Sequence, residues 1–231
     1  MVDAVLLEWE GVLADTWSAR RDALRVALAA EGIAHRVADH DDQLRGVAVP
    51  VAVRVVLRHL GIVDPVLAEL LALRATRTFA QALATGLVVD PAAVAFVRRV
   101  HPRHRIAIVT RATRDETALV LRLAGLGDAV STMTCADDVE GDAPSVHAYA
   151  RALGQLGRVR PLEARAAVAV VDGLPSIRAA RTAGVRVLVV GAPAHEAMDA
   201  DTAVASLDGM DPAGLARGNL VPHAARGRGP R

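Results

Sequence analysis

Leu6-Leu7-Glu8-Trp9-Glu10-Gly11-Val12-Leu13-Ala14-Asp15-Thr16 is the stretch on which the reading of this chain turns. It continues an apolar run that starts at Val2, and residues 2–8 are predicted to form a short buried strand that then turns on Gly11. Side chains two apart on a strand share a face, so Glu8 and Glu10 are expected to point together while Trp9 points away. A carboxylate pair at a strand's C-terminal end is what a divalent metal and a phosphoryl-transfer centre need. Two acids ending an apolar strand are costly to bury without a partner, which favours a real site over an accidental pair.

Working outward, short apolar runs separated by helical patterns recur from residue 100 onward. Residues 105–110, 129–134, 166–171 and 185–190 are the candidate strands, the second being the weakest of the four. Such runs alternating with amphipathic helices predict an α/β fold, a Rossmann-like parallel sheet covered by helices on both faces. The first strand belongs with them although it lies far away in sequence. Residues 17–88 contain no comparable strand; 18–30, 51–60, 65–74 and 76–83 read as helical segments punctuated by Gly46, Gly61 and Gly86. The expected organisation is a core of residues 1–15 and 89–217, an inserted all-helical cap over 16–88, and a frayed tail over 218–231. The last elements of the core are expected at 202–205 and 212–217.

Composition narrows the class. The chain has 231 residues, 52% of them hydrophobic and 23% charged, enough apolar material for a packed core. Aromatics are only 2%, so Ala, Val and Leu must build that core. All 27 basic residues are arginine, net charge is +1, and no basic stripe with interleaved aromatics marks a nucleic-acid partner. Cys135 stands alone, which excludes an internal disulfide or a multi-cysteine zinc site. No apolar stretch approaches membrane-spanning length and no secretory signal pattern opens the chain, so the expected setting is cytoplasmic, with no membrane partner.

In open parallel sheets, ligands bind beyond the carboxyl ends of the strands. Glu8, Glu10, Thr110 and Asp172 all fall there. This ordering resembles the haloacid-dehalogenase-like hydrolases, whose first motif is Asp-x-Asp-Gly-x-x-x-Asp-Thr, and specifically their phosphoglycolate-phosphatase and beta-phosphoglucomutase-like branch. The resemblance includes Leu44-Arg45-Gly46, the run from Tyr149 to Leu153, and Val171-Asp172-Gly173-Leu174-Pro175-Ser176-Ile177, similar to the family's Glu-Asp-Ser-x-x-Gly-Ile. By that resemblance Glu8 stands at the nucleophile and Glu10 at the general acid and base, whose backbone carbonyl also ligates magnesium. Thr110 stands at the hydroxyl that contacts the transferring phosphoryl group, and Asp172 at the magnesium-binding acid. Mg²⁺ held by Glu8, Glu10 and Asp172, and a small phosphorylated metabolite or phosphate-like anion contacted by Thr110 and Arg111, are therefore implied.

The departures cluster on chemistry. Both first-motif aspartates are glutamates, one methylene longer, and a displacement of about 1 Å in such a site can lose on the order of a hundredfold in rate. The third motif, usually Lys-Pro-x-Pro-Asp-x-Tyr or Phe, reads Ala143-Pro144-Ser145-Val146-His147-Ala148-Tyr149, with Gly141 at the lysine position in a shifted register. The family acid before Asp172 is Val171. With no lysine in the chain, Arg111 and Arg114 are the candidates to replace its charge, though a planar guanidinium is a poor substitute for a compact ammonium. Blander roles stay open. Thr110 and Asp15 can serve as caps, Asp172 can hold the turn at Gly173, and Arg45, Arg54 and Arg58 can be solvated helix-face residues. Two functions remain: an impaired magnesium-dependent phosphatase, or a non-catalytic binding, regulatory or scaffolding protein. Dehalogenation, which needs the lysine and no second acid, is disfavoured.

Overall fold

Six stretches of mostly apolar residues pair into one sheet. The computed structural model describes residues 1–33, 44–139 and 145–218. The strands are β1 (Ala4–Leu7), β2 (Arg105–Val109), β3 (Thr132–Thr134), β4 (Ala167–Val171), β5 (Arg186–Val190) and β6 (Thr202–Val204). They pair in the order β3-β2-β1-β4-β5-β6, and every pairing is parallel. β1 lies centrally between β2 and β4, with Leu7 opposite Ile108 on one side and Val170 on the other. The strand order reverses direction at β1 and β4, the place where open parallel sheets leave a crevice at their carboxyl edge.

The two faces of the sheet are built from different residues. Val5, Leu7, Ile106, Ile108, Val168 and Val170 face one core, with the larger apolar side chains of the helices packed on them. Ala4, Leu6, Ala107, Ala167 and Ala169 face the other, where Ala148, Ala152 and Ala180 lie close against the strands. Alternation along each strand sorts these sets onto opposite faces. Burial on both sides explains why the strands read as continuous apolar runs.

Several helices start where a capping side chain supplies a partner for the free N–H groups. Those before and after β2 are α1 (Trp17–Ala30), α2 (Val49–His59), α3 (Pro65–Gly86), α4 (Pro91–Val100) and α5 (Arg114–Leu123). They are followed by α6 (Val146–Gly157), α7 (Leu174–Thr182), α8 (Ala194–Ala197) and α9 (Pro212–Ala216). Asp64-Pro65, Asp90-Pro91 and Asp211-Pro212 each place a capping carboxylate before a proline at the first helical position. Thr113 and Glu116 close a reciprocal capping box at α5. The two segments expected at 65–74 and 76–83 are one helix, α3. Ala75, between them, is a good helix former and is buried. The expected strand at 129–134 shortens to Thr132–Thr134, because residues Gly127–Ala129 wind into a 3₁₀ turn.

Helices α1, α2 and α3 pack together as a helical insertion between β1 and β2. The chain leaves and re-enters the sheet domain side by side: Ala14 bridges Val89, and the Asp90 N–H donates to the Leu13 carbonyl at 2.7 Å. Among the described residues no helix is long and apolar enough to cross a membrane. The tail beyond Gly218 lies outside the described residues.

Candidate active site

β1 ends at Leu7, one residue before the first acid. The Glu8 N–H still reaches the Val170 carbonyl at 3.0 Å, and the chain then curls. The N–H groups of Leu13 and Ala14 both return to the Trp9 carbonyl, at 2.8 and 3.0 Å. Gly11 sits in the middle with φ +73°, a left-handed conformation that glycine adopts without penalty. A Cβ at that residue would stand 1.9 Å from Asp172 Oδ2, so the curl brings bare backbone against the acid from β4. Trp9 turns away as expected, fully buried, its indole donating to Thr117 Oγ1 at 3.2 Å.

Glu8 and Glu10 line the same cavity, but their carboxylates part company. The cavity measures about 510 Å³ and also takes in Thr110, Arg111, Asp172 and Ser176. Glu8 accepts from Ser176 Oγ at 2.5 Å. Burial foremost, then the neighbouring Asp172 charge, pushes the Glu8 pKa up to about 8, against the pull of the Ser176 bond. Burial also raises Asp172, with Arg45 opposing it.

Glu10 instead reaches toward the helical insertion. Its carboxylate accepts the Thr16 N–H at 2.8 Å and the Thr16 hydroxyl at 2.5 Å, at the start of α1. Arg20 of α1 approaches it at 3.9 Å. Burial raises the Glu10 pKa, and Arg20 and the Thr16 bonds counter that rise. The shared face expected from strand alternation is therefore replaced by a shared cavity, because the strand stops before Glu8 and the chain curls at Gly11.

The remaining candidates sort clearly. Thr110, 4% exposed at the end of β2, lines the cavity and accepts the Ala112 N–H at 3.1 Å, so it also holds the turn. Arg111 lines the cavity, donates to the Arg45 carbonyl at 3.3 Å, and its charge is felt at Glu8. Arg114, the other candidate for the missing lysine, is committed to Asp138 at 2.6 Å. Asp15 accepts the Trp17 N–H at 3.0 Å and pairs with Arg45 at 3.1 Å, and both residues line the cavity. Arg54, Arg58 and His147 are exposed and lie outside it. Gly141, Ala143 and Pro144 lie outside the described residues.

Sequence reasoning missed Arg20, Glu116 and Ser176. Arg20 is fully buried, stacked 4.3 Å over the Phe79 ring and paired with Glu116 at 3.4 Å. Its signal was an arginine in the apolar stripe that continues through Ala23, Leu24, Ala27 and Leu28. Glu116 was visible as the fourth residue of the capping box at Thr113.

A hard dication suits the donors present. Glu8, buried, and Asp172, half-buried, are neighbouring carboxylates whose mutual charge is relieved only in part by Arg45 and Arg111. Mg²⁺ is commonly held by one or two carboxylates, with waters and substrate oxygens completing six. Among the described residues no three His, Cys, Asp or Glu side chains form a ready-made metal cage.

The architecture is thus a Rossmann-like α/β sheet with a helical insertion, its acids at the carboxyl edge beside the strand-order switch. Residues 76–190 match the family described as haloacid dehalogenase-like hydrolase, a segment that begins after the first-motif acids. Over that segment, a little under half of the chain, the sequence is similar to that family. CbbY from Rhodobacter sphaeroides, solved in complex with phosphate, superposes with a TM-score of 0.77 at 24% identity over 90% of this chain and 95% of its own. Beta-phosphoglucomutase from Clostridium difficile gives 0.78 at 15% identity, covering 91% and 94%. A mutant of the Rhodobacter protein in complex with xylulose-(1,5)bisphosphate gives 0.78 at 23% identity, covering 91% and 96%. A comparison with curated protein sequences finds no match.

Proposed function

We propose that the protein is a slow phosphomonoester hydrolase acting on small phosphorylated metabolites in the cytoplasm, with Glu8 as nucleophile. The observation that carries this reading is buried Glu8 beside half-buried Asp172 on a cavity that also presents Thr110 and Arg111. Relatives of the same fold support it: the CbbY structures hold phosphate and xylulose-(1,5)bisphosphate. Residues 16–88 act as the cap over this cavity, contributing Arg45 and Gly46 to its wall.

The reaction follows from the chain's own groups. A Glu8 oxygen attacks phosphorus in line, forming a P–O bond as the bond to the substrate oxygen breaks. Protonated Glu10 gives its proton to the departing alkoxide. Glu10, now a carboxylate, takes a proton from water, which attacks the glutamyl phosphate and releases phosphate and free Glu8. Thr110 and Arg111 orient the phosphoryl oxygens. Glu8, Asp172 and the Glu10 backbone carbonyl would hold Mg²⁺, which supplies the positive charge that keeps Glu8 ionised and offsets the phosphoryl oxygens.

Slowness has three sources. Glu8 is longer than the family's aspartate, Glu10 is engaged by Thr16 and Arg20, and no lysine assists. The Glu10 contacts favour the second reading, an anion-binding protein that retains the cavity without turnover. A panel of small phosphomonoesters assayed with Mg²⁺ and with chelator separates the two. Hydrolysis abolished by Glu8→Gln supports the enzyme; orthophosphate binding with no hydrolysis of any ester supports the binder.

A further inference from the structure

Two of this chain's departures from the family pattern meet at a single hydrogen bond. Ser176 stands where the pattern Glu-Asp-Ser-x-x-Gly-Ile has glycine, and Glu8 stands where the first motif has aspartate. Ser176 lies in the first turn of α7, which follows Asp172 and Gly173 directly. It is 5% exposed and Glu8 is 7% exposed, and their side chains are bonded at 2.5 Å.

The contact requires both substitutions. Glycine has no hydroxyl to donate. An aspartate is one carbon–carbon bond shorter, about 1.5 Å. Withdrawn by that amount, the same carboxylate would stand about 4 Å from Ser176, beyond hydrogen-bond distance.

We propose that Ser176 is the positioning residue for Glu8: its hydroxyl fixes the orientation of the longer carboxylate and takes up the reach that an aspartate does not have. This rests on the reading of Glu8 as nucleophile. A carboxylate on an extra methylene has an extra rotor, and an unfixed nucleophile spends less time aligned for in-line attack. Ser176, in the first turn of α7, restrains that rotor through its hydroxyl.

The test is a double-mutant cycle on Glu8→Asp and Ser176→Ala, with Ser176→Thr as the variant that keeps the hydroxyl. In the Glu8 background, Ser176→Ala should lower kcat about tenfold with KM changed less than about twofold, and Ser176→Thr should retain most of the rate. In the Glu8→Asp background the same alanine substitution should change kcat less than about twofold. Equal losses in both backgrounds would mean a general structural role and would overturn the proposal. The four proteins of the cycle are also compared by thermal unfolding without metal, so the decision does not depend on turnover. Ser176→Ala should lower the midpoint when Glu8 is present and leave it unchanged in the Glu8→Asp background. Coupling in melting with no turnover in any protein would refute the hydrolase reading and leave the positioning contact standing. Absence of coupling in melting would overturn the contact itself.

Discussion

Arg20→Met should destabilise the protein by about 3 kcal/mol. Arg20 is fully buried on α1, pairs with Glu116 at 3.4 Å and Glu10 at 3.9 Å, and stacks on Phe79. Removing one side of a buried ion pair typically costs about 3–5 kcal/mol, because the other charge is left without compensation. The lower end applies here. Glu116 keeps the N–H groups of Val49 at 3.2 Å and Thr113 at 3.1 Å, and Glu10 keeps both Thr16 donors. The pairing is also imperfect, since Arg20 Nε and Nη2 have no hydrogen-bond partner among the described residues. For a chain of this size the loss corresponds to a melting point lower by roughly 6–12 °C. Urea and thermal unfolding of Arg20→Met, Glu116→Gln and the double variant measure it. The double variant should cost less than the sum of the singles by about 1 kcal/mol or more, since it removes both charges. A single-variant loss below about 1 kcal/mol, or strict additivity, would refute the claim that this buried pair ties α1 to α5.

Gly11→Ala should cost about 1–3 kcal/mol through its positive φ and also weaken Mg²⁺ binding, because the new Cβ displaces Asp172; calorimetry showing unchanged affinity would contradict this. Without metal, stability should fall with rising pH in the wild type but much less in Glu8→Gln. Folded Glu8 holds its proton to about pH 8 while the unfolded group releases it near 4.5, so its contribution is complete below 4.5 and lost as pH rises through about 8. Urea unfolding across that window in chelator should show the difference, on the order of a few kcal/mol, and parallel pH curves would refute it. Glu8→Asp combined with Glu10→Asp should raise turnover at least about tenfold, or about 1.4 kcal/mol of barrier, if reach is the main fault. A phosphatase assay showing no gain would shift the fault to the missing lysine, to be tested by Ala143→Lys.

The architecture was readable because burial on both faces leaves strands β4 and β5 as unbroken apolar runs, and because residues 17–88 offer helical spacing without such runs. Helix α3 was split in the reading only because its apolar pattern weakens near Ala75, where neither glycine nor proline marks a break. The acids at Glu8 and Asp172 were legible from their positions at strand ends. Their partners were not. Ser176 touches Glu8 across a sequence separation that no local periodicity encodes, and Arg20 was marked only by its place in the apolar stripe of α1, in a chain that has 27 basic residues. The divergence of Glu8 and Glu10 depended on where β1 stops, and a strand end within one or two residues is beyond what an apolar pattern defines.

A nucleophilic Glu8 becomes covalently phosphorylated during each turnover. The most direct measurement is acid quenching during turnover of a small phosphomonoester with Mg²⁺, followed by mass spectrometry of the peptide that contains Glu8. One phosphoryl group is expected on that peptide, located at Glu8 and absent from Glu8→Gln, which should also have lost turnover. Turnover that persists in Glu8→Gln, or a phosphoryl group carried by Asp172 instead, would contradict it.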